Sequence, residues 1–214
     1  MKRLFVVIGA PIERMLVKMF RGNLDTLALE TGMRKAELCG LKWGDVDFDA
    51  CSVRVVRQLV RTGKEPTFKA PKSKSGTRTI DVSPEVAELL AAHRRHQAEI
   101  KMANRIVYRD NNLVFAKEWA DVTKYGVVIG DPIQMNNIGQ REFAKLMEAS
   151  GVRRIKFHGL RHTSATLALK AGVPVKVVAQ RLGHAKTDIT NDIYAHALPS
   201  MQKDAAAKMA SFLR

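Results

Sequence analysis

Acidic residues are scarce in this sequence: 21 Asp plus Glu stand against 36 Lys plus Arg in 214 residues, a formal net charge of +15. That imbalance argues against the near-neutral surface of an ordinary cytosolic enzyme and calls for a polyanionic partner, most commonly nucleic acid and less commonly an anionic membrane surface. Cysteine is scarcer still. The two that occur, Cys39 and Cys51, are too few for a disulfide framework and have no metal-ligand spacing to histidine, so both are expected as small buried apolar residues and no metal site is expected. No apolar run approaches the ~20 residues of a membrane-spanning helix, and the opening MKRLFVVIGA runs quickly into Glu13 and Arg14, short for a secretory leader. The expected chain is soluble, cytoplasmic and without a membrane contact. A Gly-x-x-x-x-Gly-Lys-Ser/Thr phosphate loop and a carboxylate cluster of two-metal type are both missing, which argues against ATP-driven and metal-assisted phosphoryl chemistry; no cofactor is expected.

Apolar residues make up 46% of the chain, enough for a sizeable core. The basic residues are interspersed among them, which predicts a folded cationic surface that tracks phosphates, not a detachable basic tail. Residues 23–41 have helical periodicity interrupted at Thr31-Gly32, so two helical pieces are predicted, with Arg34 opening the second. Residues 52–57 and 78–82 are rich in β-branched side chains and read as strands of a small antiparallel sheet, with Gly63, Pro66, Pro71 and Gly76 between them as turn residues and a lysine-rich hairpin over 69–76. Ser83-Pro84-Glu85 is a helix-start signal for a helix reaching about Ala103. Four more helices are predicted over 137–150, 158–171, 175–182 and 188–198, three of them stopped by Gly151, Gly172 and Gly183, and Ser200 caps a final amphipathic segment. Residues 113–115 can form a short strand, and a loop is predicted within 118–130.

Four clusters can carry chemistry on phosphates: Thr31-Gly-Met-Arg34-Lys-Ala-Glu37, the hairpin lysines, Phe157-His158-Gly-Leu-Arg161-His162-Thr163, and Leu182-Gly183-His184 with Tyr194 ten residues on. Each has a plain reading beside the functional one. His158 and Arg161 share a helix face and can address one ligand, but such pairs arise readily in so basic a chain. Arg34 with Glu37 reads, taken alone, as an i,i+3 surface ion pair. Tyr194 reads as a half-buried core tyrosine, and His184 as part of a helix cap.

In order and spacing together, residues 31–48 (TGMRKAELCGLKWGDVDF), 157–172 (FHGLRHTSATLALKAG) and 180–196 (QRLGHAKTDITNDIYAH) resemble the catalytic domain of the tyrosine recombinases, the phage-integrase family. The resemblance runs from about Leu24 to His196. It implies a mainly helical α+β catalytic core with a small antiparallel sheet, which breaks and rejoins double-stranded DNA for integration or excision of mobile elements. By this resemblance Arg34 and Arg161 are the two catalytic arginines, His158 and His184 the two histidines, and Tyr194 the nucleophile that forms a 3′-phosphotyrosyl intermediate. Glu37 matches the acidic position after the first arginine and takes a structural or orienting role. The catalytic lysine falls in the hairpin, where Lys72 fits the pattern best and Lys74, two residues on, would point to the same face of a strand. The resemblance also implies self-association on DNA in a tetrameric synapse and nucleoid association, with neither metal nor ATP. Residues 23–214 read as the catalytic domain and residues 1–22 as an atypical N-terminal segment; the family's core-binding and arm-binding domains are expected to be absent. Two alternatives remain open on the sequence: relaxation of supercoils in the manner of a type IB topoisomerase, and an inactive DNA-binding remnant of an integrase.

Overall fold

In the computed structural model the described residues are 23–62, 65–118, 128–138, 143–149, 155–184 and 209–210. Helix α1 (Asn23–Thr31) ends where Gly32 takes φ +63, and α2 (Lys35–Gly40) restarts after Arg34 as N-cap. Only a residue without a Cβ suits that turn: an added Cβ at Gly32 would lie 2.5 Å from Leu182 Cδ2. The predicted break at the glycine is therefore what lets a distant helix end press on the turn.

Strand β1 (Val46–Asp47) and strand β2 (Ser52–Val55) precede a hairpin of β3 (Gln58–Thr62) and β4 (Glu65–Lys69); β5 (Arg78–Asp81) follows. The sheet order is β1-β2-β5, antiparallel, with Val53 opposite Ile80 and Val55 opposite Arg78. Val53, Val55 and Ile80 are buried while Arg54 and Thr79 are exposed, the period-2 alternation of a sheet with one face on a core. Two strand expectations need correction. The segment around Pro66 is not a loop: β3 and β4 form a separate two-stranded sheet, with Pro66 opposite Arg61, because a proline lacks only a donor and an edge strand can spare one. Nor is 69–76 a hairpin. Beyond Lys69, which ends β4, it is a loop running to β5 of the other sheet, with Lys72 in a bend and Lys74 opening a 3-10 turn (Lys74–Gly76), so the two lysines do not share a strand face.

Ser83 caps α3 (Pro84–Ala103), its side chain accepting from the Val86 N–H at 3.3 Å, and the helix spans the predicted length. Its buried stripe of Val86, Leu90, His93 and Gln97 follows the helical period, and Gln97 accepts the Trp43 indole N–H at 2.7 Å. Residues 113–116 are buried but contribute only isolated bridges, Lys42 with Leu113 and Ala116 with Pro132, not a strand. Where one helix is predicted over 137–150 the structure has α4 (Met135–Asn137) and α5 (Phe143–Ala149), residues 139–142 lying outside the described residues. Helices α6 (Gly159–Lys170) and α7 (Val175–Leu182) match the sequence reading, stopped by Gly172 at φ +84 and Gly183 at φ +68.

One core of Leu27, Leu38, Val53, Val55, Leu59, Ile80, Leu90, Phe143 and Phe157 joins α1 to α3, the sheet and α5. A smaller cluster of Ala165, Leu169, Val178 and Leu182 seals α6 to α7. Each fully buried leucine contributes about 1.5–3 kcal/mol relative to exposure, so both clusters hold the helix ends firmly. Cys39 is buried as expected, and burial pushes its thiol up to about 12. Cys51 departs from the expectation: it is half-buried, at φ +46 in the turn between β1 and β2. The helix predicted over 188–198, and with it Tyr194, lies outside the described residues, as does most of the last segment.

Candidate active site

The site is built around Glu37. As the third residue of α2 it returns to the helix start, where Oε2 accepts the Arg34 N–H at 2.8 Å and Oε1 accepts Arg34 Nη1 at 2.8 Å. From β5 a second guanidinium closes on the same carboxylate: Arg78 Nη2 donates to Oε2 at 2.9 Å and Nη1 to Oε1 at 3.2 Å. The Arg34–Glu37 pair is thus no surface ion pair. Glu37 is 2% exposed, while the Arg34 side chain remains 39% exposed, turned to solvent from a buried anchor. Burial pushes the Glu37 carboxyl up, but the hydrogen bond and charge of Arg78 and the bonds from Arg34 outweigh it and hold the group below its usual range.

Arg161, near the start of α6, is 6% exposed. Nη1 donates to the Gly32 carbonyl at 2.7 Å and Nη2 to the Leu182 carbonyl at 2.6 Å, so one side chain joins the α1–α2 turn to the end of α7. Arg78 Nε donates to the adjacent Arg181 carbonyl at 2.6 Å. The last carbonyls of a helix have no partner within it, and these two arginines supply one while placing positive charge at the negative end of the helix dipole. Burial, with the nearby Arg34 charge, lowers Arg161 to about 9, which leaves it charged at neutral pH.

His184 follows Gly183 in a Schellman-type stop, its N–H donating to the Ala179 carbonyl at 3.0 Å and the Gly183 N–H to Gln180 at 2.9 Å. Its backbone belongs to the cap, as one sequence reading has it, while its side chain is half-buried beside the arginines. Burial, then the charges of Arg161, Arg34 and Arg78 and of His162, bring His184 down to about 4. His158, the N-cap of α6, is exposed, and its ring meets that of His162 edge-on at 5.2 Å. Its pKa is lowered by burial first and then by His162, Arg161, Arg34 and Lys35. Both histidines are therefore neutral at pH 7, with a ring nitrogen able to accept a proton.

The loop carrying Lys72 and Lys74 reaches the same region. Arg78 Nη1 donates to the Gly76 carbonyl at 2.9 Å, and a Cβ added to Gly183 would lie 3.0 Å from the Ser75 carbonyl oxygen. Both lysines are exposed. Of the predicted residues, the structure brings together Arg34, Glu37, Arg161, His158 and His184, with the lysine loop packed alongside; Tyr194 lies outside the described residues. The motifs do not include Arg78, and they contain His162 without giving it a role. For Arg78 a signal exists: it shares a strand face with buried Ile80, a core-facing position where an arginine needs a partner. Among the described residues no group of three or more His, Cys, Asp or Glu can hold a metal ion, and no helix is long and apolar enough to cross a membrane.

A tyrosine recombinase XerC-like protein of Caldanaerobacter subterraneus is 34% identical, the alignment covering 84% of this chain and 46% of that protein. The ICEBs1 integrase of Bacillus subtilis is 24% identical over 95% of this chain and 51% of its own length. The chain thus spans about half the length of these relatives. Among solved structures, the Tn1549 transposon integrase in complex with transposon right end DNA superposes with a TM-score of 0.71 at 24% identity, covering 95% of this chain and 65% of that one. XerA recombinase gives 0.64 at 22%, covering 94% and 64%. Both share the fold. The phage integrase family matches residues 18–201, nearly the whole chain, and the protein belongs to that family.

Proposed function

We propose that the protein performs site-specific recombination of double-stranded DNA, cutting and rejoining strands through Tyr194. The observation that carries the reading is the meeting of Arg34, Arg161, His158 and His184 at the point where the α1–α2 turn, the start of α6 and the end of α7 come together. Attack by the Tyr194 oxygen on a scissile phosphorus forms a phosphotyrosyl bond and breaks the bond to the 5′ oxygen. Extra negative charge gathers on the non-bridging oxygens in the transition state. Arg34 and Arg161 stay protonated and present planar forks of donors, so they are suited to that charge. Neutral His158 accepts the phenolic proton, with His184 donating a hydrogen bond to the phosphate. Lys72, or Lys74 in its place, returns a proton to the leaving 5′ oxygen from the adjoining loop. The reverse reaction with another strand's 5′-hydroxyl completes exchange, and because the phosphotyrosine retains the energy of the broken bond no ATP is consumed.

In this reading residues 23–214 are the catalytic domain, Glu37 orients Arg34, and the protein works in the cytoplasm on nucleoid DNA, four copies assembling on paired sites. The test is covalent trapping in EDTA on nicked duplexes built from candidate attachment sequences, where the short cleaved fragment diffuses away. An SDS-stable protein–DNA adduct that Tyr194→Phe abolishes, with DNA affinity unchanged within about 1 kcal/mol, is expected. An adduct that persists in the phenylalanine variant overturns the assignment of the nucleophile, and wild-type chain that binds these duplexes without forming an adduct overturns the activity.

A further inference from the structure

Arg78 makes four hydrogen bonds in the site, as many as Glu37 accepts, and neither the motifs nor the mechanism above gives it a role. Its side chain is 7% exposed and makes contacts at 2.9 and 3.2 Å with Glu37, 2.9 Å with the Gly76 carbonyl and 2.6 Å with the Arg181 carbonyl. The two contacts to Glu37 are fork on fork, one guanidinium nitrogen to each carboxylate oxygen. The terminal torsion of a glutamate is soft, with a broad energy minimum, and the one fixed donor Arg34 offers is its backbone N–H to Oε2; the Arg34 guanidinium on Oε1 moves with the carboxylate and cannot set its plane. A bidentate guanidinium removes that freedom. The Arg34 side chain, bonded to the same carboxylate, is 39% exposed, and among the described residues Glu37 is the group that holds its guanidinium.

We propose that Arg78 is a positioning residue for DNA cleavage: by locking the plane of the Glu37 carboxylate it fixes where Arg34 presents its guanidinium to the scissile phosphate. The inference rests on Arg34 acting on that phosphate, as under Proposed function. It differs from a through-space effect of Arg78's own charge in one respect. A lysine at 78 keeps the charge and loses the fork, because an ammonium engages the carboxylate as a point and cannot set its plane.

The experiment is single-turnover cleavage of a nicked duplex by wild type, Arg78→Lys, Arg34→Ala and the double variant. Each is measured on the ordinary substrate and on one whose scissile phosphate is a neutral methylphosphonate. Misplacing a reacting contact by about 1 Å costs on the order of 10²-fold, so Arg78→Lys should cleave ordinary DNA about 10²-fold more slowly than wild type. On the methylphosphonate, where there is no anionic oxygen for Arg34 to meet, the deficit should shrink to within about 5-fold, as it should for Arg34→Ala. The double variant should fall within about 3-fold of Arg34→Ala, since Arg78 acts through a group already removed. An inactive fraction slows both substrates alike and cancels from the ratio, so a merely structural role would leave the deficit equal on the two. Equal deficits, a Lys variant as active as wild type, or a double variant much slower than Arg34→Ala each overturns the proposal while leaving the cleavage reading intact. Wild-type chain that binds the duplex without cleaving overturns both.

Discussion

Alanine at Gly183 should cost the fold distinctly more than alanine at Gly172, although both glycines end helices in the left-handed region, at φ +68 and φ +84. The backbone penalty is shared, about 1–2 kcal/mol for an L-residue held there. What differs is the space. A Cβ at Gly172 meets nothing within 4 Å, whereas one at Gly183 would lie 2.8 Å from Arg78 Nη1, 3.0 Å from the Ser75 carbonyl oxygen and 3.1 Å from Arg78 Cζ. Neither neighbour yields easily: Ser75 is main chain, and Arg78 is held by Glu37, Gly76 and Arg181. Inserting a methyl into so closed a site typically costs a further ~1–3 kcal/mol. At roughly 2–4 °C per kcal/mol for a domain of this size, a difference of about 2 kcal/mol is about 4–8 °C in melting temperature. Circular dichroism melts of the two variants read it directly. Because the loop that must retreat carries Lys72 and Lys74, Gly183→Ala should also slow cleavage of DNA by more than Gly172→Ala does. Melting temperatures within about 1 °C of each other would refute the packing of that loop against the end of α7.

Glu37→Gln removes the carboxylate between two arginines and should destabilise by about 3–5 kcal/mol, the usual cost of breaking a buried ion pair, measurable as a lower urea midpoint. Since the folded Glu37 pKa lies below its ordinary 4.5, its contribution is complete above that value and is lost as pH falls through the folded pKa; the glutamine variant should therefore show a flatter loss of stability in acid. His184, at about 4 when folded against an ordinary 6.5, takes up its proton in the unfolded chain first. Stability should accordingly decline as pH falls from about 6.5 towards 4, and His184→Gln should remove that part of the decline in urea titrations across this window.

Features whose determinants are local were legible in the sequence. Ser83-Pro84-Glu85 opens α3, and Gly172 and Gly183 close α6 and α7, because a cap is decided by residues within one turn of it. The arginine and histidine positions were marked by the resemblance of their motifs to a known family, and the structure brings these side chains together. Long-range decisions were not legible. Pro66 looks like a turn residue until its strand is known to be an edge, and Lys72 with Lys74 look like strand neighbours until their loop is seen to cross between two sheets. Glu37 looks like half of a surface pair because the partner that buries it, Arg78, is 41 positions away.

The residues that resisted a local reading share a physical origin. Helices α1 and α7 end at this site and α2 and α6 begin here, and their unpaired backbone groups must be satisfied where little water reaches. Arginine suits the task because one side chain can donate to several acceptors at once, as Arg161 does to Gly32 and Leu182, and Arg181 to the carbonyls of Asp81 and Glu30. Each such bond brings a charge with it. Arg34, Arg78 and Arg161 gather around the carboxylate of Glu37, and burial first, then this surplus of charge, depresses the neighbouring histidines and Arg161 itself. On the function proposed above, capping the helix ends and attracting a phosphodiester are consequences of the same side chains: the cationic surplus that costs the free protein self-repulsion is what an anionic backbone relieves on binding.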